Sequence, residues 1–322
     1  MNARGVVLAV VVLVALLAVP AFAGRYALTV MILVFQFAFV GQAWNLMMGY
    51  AGQLSLGHAL YIGLGAYVPA LLWLQFGVSP VLGLFAGMAV AMLFALAIGW
   101  LGFRFGIEGV YFALLTIAFA EVTRVAFDNA KVTGGAGGLF LPVPPAGQAS
   151  WLNLDGGPVF FYYLTLGLAV AATGLVAAVS RSRWGYIWRA LRDDPQAAEA
   201  LGVDLFKARL QAILLSAAMT SVAGVVMAFY QRNLFPSQSF DMARSLELIL
   251  APIVGGLGTV MGPVVGAALL TPAGEALIGL VHRLGLDAPG SKAVAYGLLL
   301  MAIIWFKPDG VWPWLARRLG IR

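Results

Sequence analysis

The chain of 322 residues has no cysteine and only two histidines, His58 and His282. The first absence excludes disulfides, thiol nucleophiles and cysteine-ligated metals. The second leaves no histidine pair at ligand spacing, so no metal site is expected. No Walker A, HExxH or GxSxG pattern occurs, and neither a catalytic residue nor a cofactor is expected. Charge is scarce too. Asp, Glu, Lys and Arg make up 10% of the residues, against roughly 25% in soluble domains.

What fills the chain instead is apolar: 62% of residues are hydrophobic and the mean hydropathy is +0.95. Uncharged runs of roughly 17 to 25 residues can each cross a hydrocarbon core about 30 Å thick as a helix. A transmembrane barrel would alternate apolar and polar residues, which these runs do not. The fold class expected is therefore all-α, a polytopic helical bundle in the lipid bilayer. In a soluble protein, the formal charge of +6 would suggest a nucleic-acid partner. In this chain the basic residues read as topology signals, and no nucleic acid is expected.

Expected spans are Gly5–Ala23, Leu28–Met48, Leu56–Leu74, Val81–Leu101, Gly109–Phe127, Val159–Val179, Leu210–Tyr230 and Ala293–Phe306. The longer apolar stretch Leu246–Val281 either crosses twice or re-enters, with a break at "GGLGTVMGP" (Gly255–Pro263), where glycines and a proline disfavour an uninterrupted helix. The densest basic loop carries Arg181, Arg183, Arg189, Arg192, Lys207 and Arg209, and the tail carries Lys307, Arg317, Arg318 and Arg322. By the positive-inside rule both are cytoplasmic, which gives ten spans with both termini inside. One transmembrane domain over residues 1–322 is expected, with an inner loop at 181–209 and an outer loop at 128–158. Arg4, Val6–Val19 and "PAFAG" (Pro20–Gly24) fit either a retained first helix or a cleaved signal.

Three stretches stand out against this background. "WNLMMGYAGQLSLGHALYIGLGAY" (Trp44–Tyr67) places Asn45, Gln53, Ser55 and His58 among glycines, which suits either helix packing or a polar translocation path. Its spacing puts Gln53, Ser55 and His58 at the start of the span that follows. Glu121, with Arg124 three residues on, and Glu275 are the acidic candidates for ion coupling. In "RALRDDPQAAEALGVDLFKARL" (Arg189–Leu210), Asp193 or Asp194 can cap a helix that starts at Pro195 and ends at Gly202. A bare connector needs neither this length nor two clusters of charge, so the loop reads as a docking surface for a cytoplasmic protein.

At this loop the sequence resembles the membrane subunits of ABC importers, whose coupling helix often carries a Glu-Ala-Ala-type pattern followed by glycine; here it reads "AAEALG" (Ala197–Gly202). Together with "TGGAGGL", "APIVGGLGTVMGPVVGA" and "KPDGVW", in order from Trp44 to Trp312, it is similar to the branched-chain amino acid permease family of ABC importers, M-type subunit. The resemblance implies a bacterial inner-membrane location and a second, homologous permease subunit forming a heterodimer. It also implies two cytoplasmic ATP-binding subunits and a periplasmic solute-binding protein. Glu199, Ala200 and Gly202 would contact an ATPase, flanked by Arg192, Asp193 and Asp194. The solute would be a branched-chain amino acid, with urea or amides as the alternative within the family. An ion-coupled carrier is the alternative outside it.

Overall fold

A computed structural model describes residues 3–143, 151–283 and 290–320; Pro144 and Pro145 of the expected outer loop, and Arg322, lie outside the described residues. In chain order the first helices are α1 (Ala3–Ala18), α2 (Arg25–Asn45), α3 (Ala59–Phe76), α4 (Pro80–Arg104), α5 (Gly109–Asn129), α6 (Pro158–Ser180) and α7 (Arg183–Asp193). They are followed by α8 (Pro195–Ala200), α9 (Leu205–Gln231), α10 (Pro236–Ser239), α11 (Met242–Gly255), α12 (Gly262–Arg283), α13 (Ser291–Phe306) and α14 (Val311–Leu319). Two-residue strands, β1 (Leu139–Phe140) and β2 (Asn233–Leu234), pair antiparallel with Leu139 opposite Leu234.

The chain is a polytopic helical membrane protein. Among the described residues, seven helices are long and apolar enough to cross a bilayer: α2 with its extension to Tyr50, α3, α4, α5, α6, α9 and Gly262–Gly279 of α12. The other three expected spans fall on α1, α11 and α13, of 16, 14 and 16 residues. At about 1.5 Å per residue α11 is about 21 Å long, short of the hydrocarbon thickness.

Two compact units are present: Met1–Gln42, Gly157–Thr173 and Leu250–Arg322 in the first, Ala43–Gly156 and Gly174–Ile249 in the second. In the first, the Tyr162 and Tyr163 hydroxyls donate to the Leu16 and Leu17 carbonyls, at 2.7 and 3.0 Å, satisfying acceptors that the end of α1 leaves open. The break between α11 and α12 is where the glycine-rich stretch suggests. Gln42 Nε2 holds it by donating to the Val260 carbonyl at 2.6 Å and to Thr173 Oγ1 at 3.2 Å. Gly310, at φ +89°, lies directly against the Gly256 backbone, so the break sits beside the turn that follows α13.

The second unit is built around α3, α4 and α9. Lipid is as apolar as leucine, so close packing of small residues, not apolarity, draws these helices together. On α4 the buried positions include Gly83, Gly87, Ala91, Ala95, Gly99 and Gly102, whereas Leu82, Phe85, Leu93, Leu96 and Trp100 face outward. Gly65 of α3 and Gly224 of α9 let the two backbones touch: a Cβ at either would strike the carbonyl oxygen of Ser221 or of Ile62. α3 and α9 run parallel. His58 meets Ser216, Ile62 and Ala66 meet Gly224, and the Trp73 ring meets Phe229 at 5.4 Å.

Candidate functional site

The stretch from Asn45 to His58 is not the start of a helix, contrary to what its spacing suggests. α2 runs into a π-helical turn, Leu46–Tyr50, after which the chain is non-helical until α3 begins at Ala59. Because His58 meets Ser216, eleven residues into α9, α3 starts about 17 Å along its neighbour. The intervening segment therefore lies at membrane depth with its backbone out of helix. Non-helical backbone survives there only if protein groups satisfy it.

Most of the bonds are supplied from α2, α5, α9 and α11, which is why local periodicity does not reveal the break. Thr116 Oγ1, on α5, accepts from the Leu56 and Gly57 amides at 3.1 and 3.2 Å and donates to the Ala113 carbonyl. Ser245 Oγ, on α11, accepts from the Ala59 amide at 2.9 Å, and Trp44 Nε1 donates to the Ser55 carbonyl at 2.8 Å. Gln53 Nε2 donates to the Ala51 carbonyl. His58 Nδ1 is 3.0 Å from Ser55 Oγ and its Nε2 is 2.8 Å from Ser216 Oγ, so both ring nitrogens are bonded. Asn45, Gln53, Ser55 and His58 are all buried, His58 with no exposed surface. Thr116, Ser216 and Ser245 escape a sequence reading: Thr116 and Ser216 show only a hydroxyl within an apolar run, and Ser245 lies between Arg244 and Glu247.

The helix expected to start at Pro195 is present as α8, and a separate helix, α7, precedes it. α7 ends at Asp193, the backbone turns extended at Asp194, and α8 begins at Pro195, so the Arg189–Gly202 stretch is not continuous. Asp194 is the cap: its Oδ1 accepts from the Gln196 and Ala197 amides, both at 3.0 Å. Such a cap is worth about 1 kcal/mol, which matters for a six-residue helix that cannot sustain itself. Gly202, at φ +88°, adopts the left-handed turn that ends it. Only Ala198 of α8 is buried; Glu199, Ala200 and Leu201 project outward, Leu201 with 86% of its surface exposed.

Behind α8 the loop is anchored firmly. The buried Trp188 donates from Nε1 to the Ala208 carbonyl at 3.0 Å, and Arg189 donates to the Ser180 carbonyl at 2.8 Å. Arg192 pairs with Asp193 at 2.8 Å and donates from Nη1 to the Gly49 carbonyl at 2.6 Å. Gly52, at φ +69°, lets the chain turn against the Arg192 stem. A residue of the charged loop thus grips the π-helical turn that opens the broken segment. Asp204 caps α9, and the Lys207 amide and ammonium hold its carboxyl below the usual range.

At the other end of these helices, Arg124 pairs with Glu121 at 2.5 Å and with Asp128 at 2.6 Å. Glu121 is more than half exposed, a surface ion pair and not a buried relay. Glu275 is half-buried on α12. The glycine stretch Gly134–Gly138 leads into β1, and Arg232 locks the loop by pairing with Asp155 at 2.7 Å and donating to the Pro142 carbonyl at 2.6 Å. Among the described residues, no cluster of side chains is suited to hold a metal ion.

Residues 26–305 match the family described as branched-chain amino acid transport system / permease component. The chain is 28% identical to the high-affinity branched-chain amino acid transport system permease protein LivM of Escherichia coli (strain K12), over 97% of this chain and 76% of that one. It is 25% identical to the corresponding protein LivH of Salmonella typhimurium, over 85% of this chain and 90% of that one. It is also 26% identical to the autoinducer 2 import system permease protein LsrC of Yersinia enterocolitica, over 68% and 60%. No solved structure matches the chain.

Proposed function

The chain belongs to the branched-chain amino acid transport system permease family, and from that premise we propose that it forms half of the translocation path of an ATP-driven importer. The single observation that carries this reading is α8: a capped, outward-facing helix whose supporting loop is bonded, through Arg192, to the broken membrane segment. Two cytoplasmic ATP-binding subunits would drive the cycle, one of them seating Glu199, Ala200 and Gly202 with Asp193 and Asp194 at the rim. A homologous permease subunit would complete the path and a periplasmic binding protein would deliver the solute, a branched-chain amino acid. The location is the inner membrane with both termini cytoplasmic. The bonds from Tyr162 and Tyr163 to α1 support a retained first helix.

Closure of the ATPase pair would displace α8, and the Arg192–Gly49 bond passes that movement to the π-helical turn and onward to α3. In this reading Asn45, Gln53, Ser55 and His58 hold the shape of the break beside the path. A two-state lever of this kind works because the ATPases and the loaded binding protein favour different arrangements of the same helices.

Co-expression with its neighbouring subunits and reconstitution in proteoliposomes test the proposal. Glu199→Arg is expected to abolish ATP-dependent leucine uptake while membrane insertion persists; normal uptake would reject the docking role. Ion-gradient-driven uptake by this chain alone would establish the secondary-carrier alternative instead. A panel of leucine, valine, urea and amides identifies the solute.

A further inference from the structure

A second interruption of helical backbone lies where the chain returns from α9, with Leu234, Phe240 and Ser245 meeting Tyr67, Gly63 and Ala59 in turn along α3, beside a cavity of about 300 Å³. The charges there are matched within the protein: Arg244 pairs with Glu247 at 3.3 Å, and Asp241 lies near Arg124. A cavity of about 320 Å³ in the first unit is different. It lies between the end of α11, α13 and the turn 307–310 that follows α13, with Ile253, Leu257, Leu300 and Ile303 as its apolar wall and Lys307 at its polar edge.

Here cations gather without a partner of opposite sign. Lys307 Nζ lies 4.7 Å from the centre of the Trp314 ring, and the Arg318 guanidinium lies 4.5 Å from the same centre. Trp314 and Arg318 are four residues apart, so one helical turn brings them together. The only carboxylate between Lys307 and Arg318 in sequence, Asp309, pairs with Arg317 at 3.6 Å. Lys307 and Arg318 are left as like charges beside one indole, and among the described residues neither has an ion pair. The turn that presents them is fixed: the Gly310 amide donates to the Lys307 carbonyl at 2.8 Å, and Gly310 lies against the Gly256 backbone. Trp305 and Phe306, which end α13, are 85% and 73% exposed. Exposed aromatic rings at the end of a membrane helix, with basic residues just beyond, mark the level of the lipid headgroups.

We propose that the turn and α14 hold an anionic phospholipid, with its phosphate diester between Lys307 and Arg318 and the start of an acyl chain in the cavity. The inference does not depend on the permease reading. A phosphate diester has one negative charge and two free oxygens, so it can accept from an ammonium and a guanidinium at once and relieve their repulsion. A zwitterionic lipid carries its own ammonium, which repels the same two groups. Each basic residue near a bilayer surface strengthens the binding of anionic lipid about fivefold. Isolated basic residues would serve as topology signals without converging on one ring at the mouth of a cavity. A cytoplasmic protein seated on α14 is the competing occupant, and the bare aromatic pair on the membrane helix just before it favours lipid.

The full chain in vesicles supplies the test. Because it has no cysteine, Leu319→Cys, at the exposed end of α14, can carry a single bimane fluorophore. Phosphatidylglycerol with a nitroxide high on one acyl chain, as a minor fraction of a phosphatidylcholine bilayer, is expected to quench the bimane severalfold more than nitroxide-bearing phosphatidylcholine at the same fraction. Lys307→Gln with Arg318→Gln is expected to erase that preference, Lys307→Arg with Arg318→Lys to keep it, and millimolar inorganic phosphate to leave it unchanged. Equal quenching by the two lipids overturns the site, as does a preference that survives the double glutamine variant, is lost in the charge-conserving one, or yields to inorganic phosphate. In the complete complex, a bimane shielded from both lipids until the ATP-binding subunits are removed would give α14 to a protein and overturn the lipid site too.

Discussion

The two interruptions of helical backbone in the second unit are built from opposite materials. Between Tyr50 and Ala59 the chain is sealed: hydroxyls of Thr116, Ser216 and Ser245, each from a different helix, take up its amides and its imidazole, and Asn45, Ser55 and His58 are buried without a charge among them. Between Asn233 and Glu247 the chain opens onto a cavity and lines it with Asp241, Arg244 and Glu247. Neutral hydroxyls cost little to bury once bonded, whereas ions need water, a counter-ion or a ligand. The first break is closed by bonds to its neighbours, and the second is open onto a cavity.

If the first break is a sealed structural joint, small changes there should be punished. Gly57→Val has the largest expected effect, because even a Cβ would strike the Thr116 carbonyl, a backbone atom that cannot swing aside. Loss of the folded protein is expected in detergent size-exclusion chromatography; a monodisperse peak at wild-type yield would break the comparison. Thr116→Val keeps the shape but strips the acceptor from two amides, at about 1 to 3 kcal/mol for each buried group left unpaired. A fall of several degrees in thermal unfolding is expected, and an unchanged midpoint would show that the amides have other partners.

His58→Ala should cost about 1 to 3 kcal/mol through its cavity and two stranded hydroxyls. Transport should fall while the ATPases stay bound, as co-purification would show; unchanged transport and stability would remove His58 from the joint. Smallest of all should be Gln238→Ala at the exposed rim of the second break, within about 0.5 kcal/mol of wild type in the same melts. A loss as large as that of Thr116→Val would erase the distinction between sealed and open.

How much of this was written in the sequence depends on the range over which each feature is encoded. Membrane spans follow from runs of apolar residues, so α4, α5, α6 and α9 lie close to where composition puts them. The Asp194–Pro195 cap and the Gly202 stop are local too, and both were legible. What escaped reading is set by partners far along the chain. The break before α3 depends on Thr116, Ser216 and Ser245, up to 186 residues away. β1 and β2 are too short to show an alternation. The return along α3 hid because Asn233–Asp241 has loop-like composition yet lies beside a membrane helix, which placed the expected crossing at Leu246 although its helix starts at Met242. At the charged loop the cap and the start of α8 were readable, but not the preceding helix α7 nor the reach of Arg192 to Gly49, a contact across 143 positions.

Docking of an ATPase requires α8 to face the cell interior. A single cysteine at Gln196, exposed in the first turn of α8, reports this directly in the cysteine-free chain. In intact cells a membrane-impermeant maleimide is expected to leave it unlabelled, and in inverted vesicles to label it unless the ATP-binding subunits are bound. Labelling from outside intact cells would place α8 on the wrong face for an ATPase and exclude the docking role.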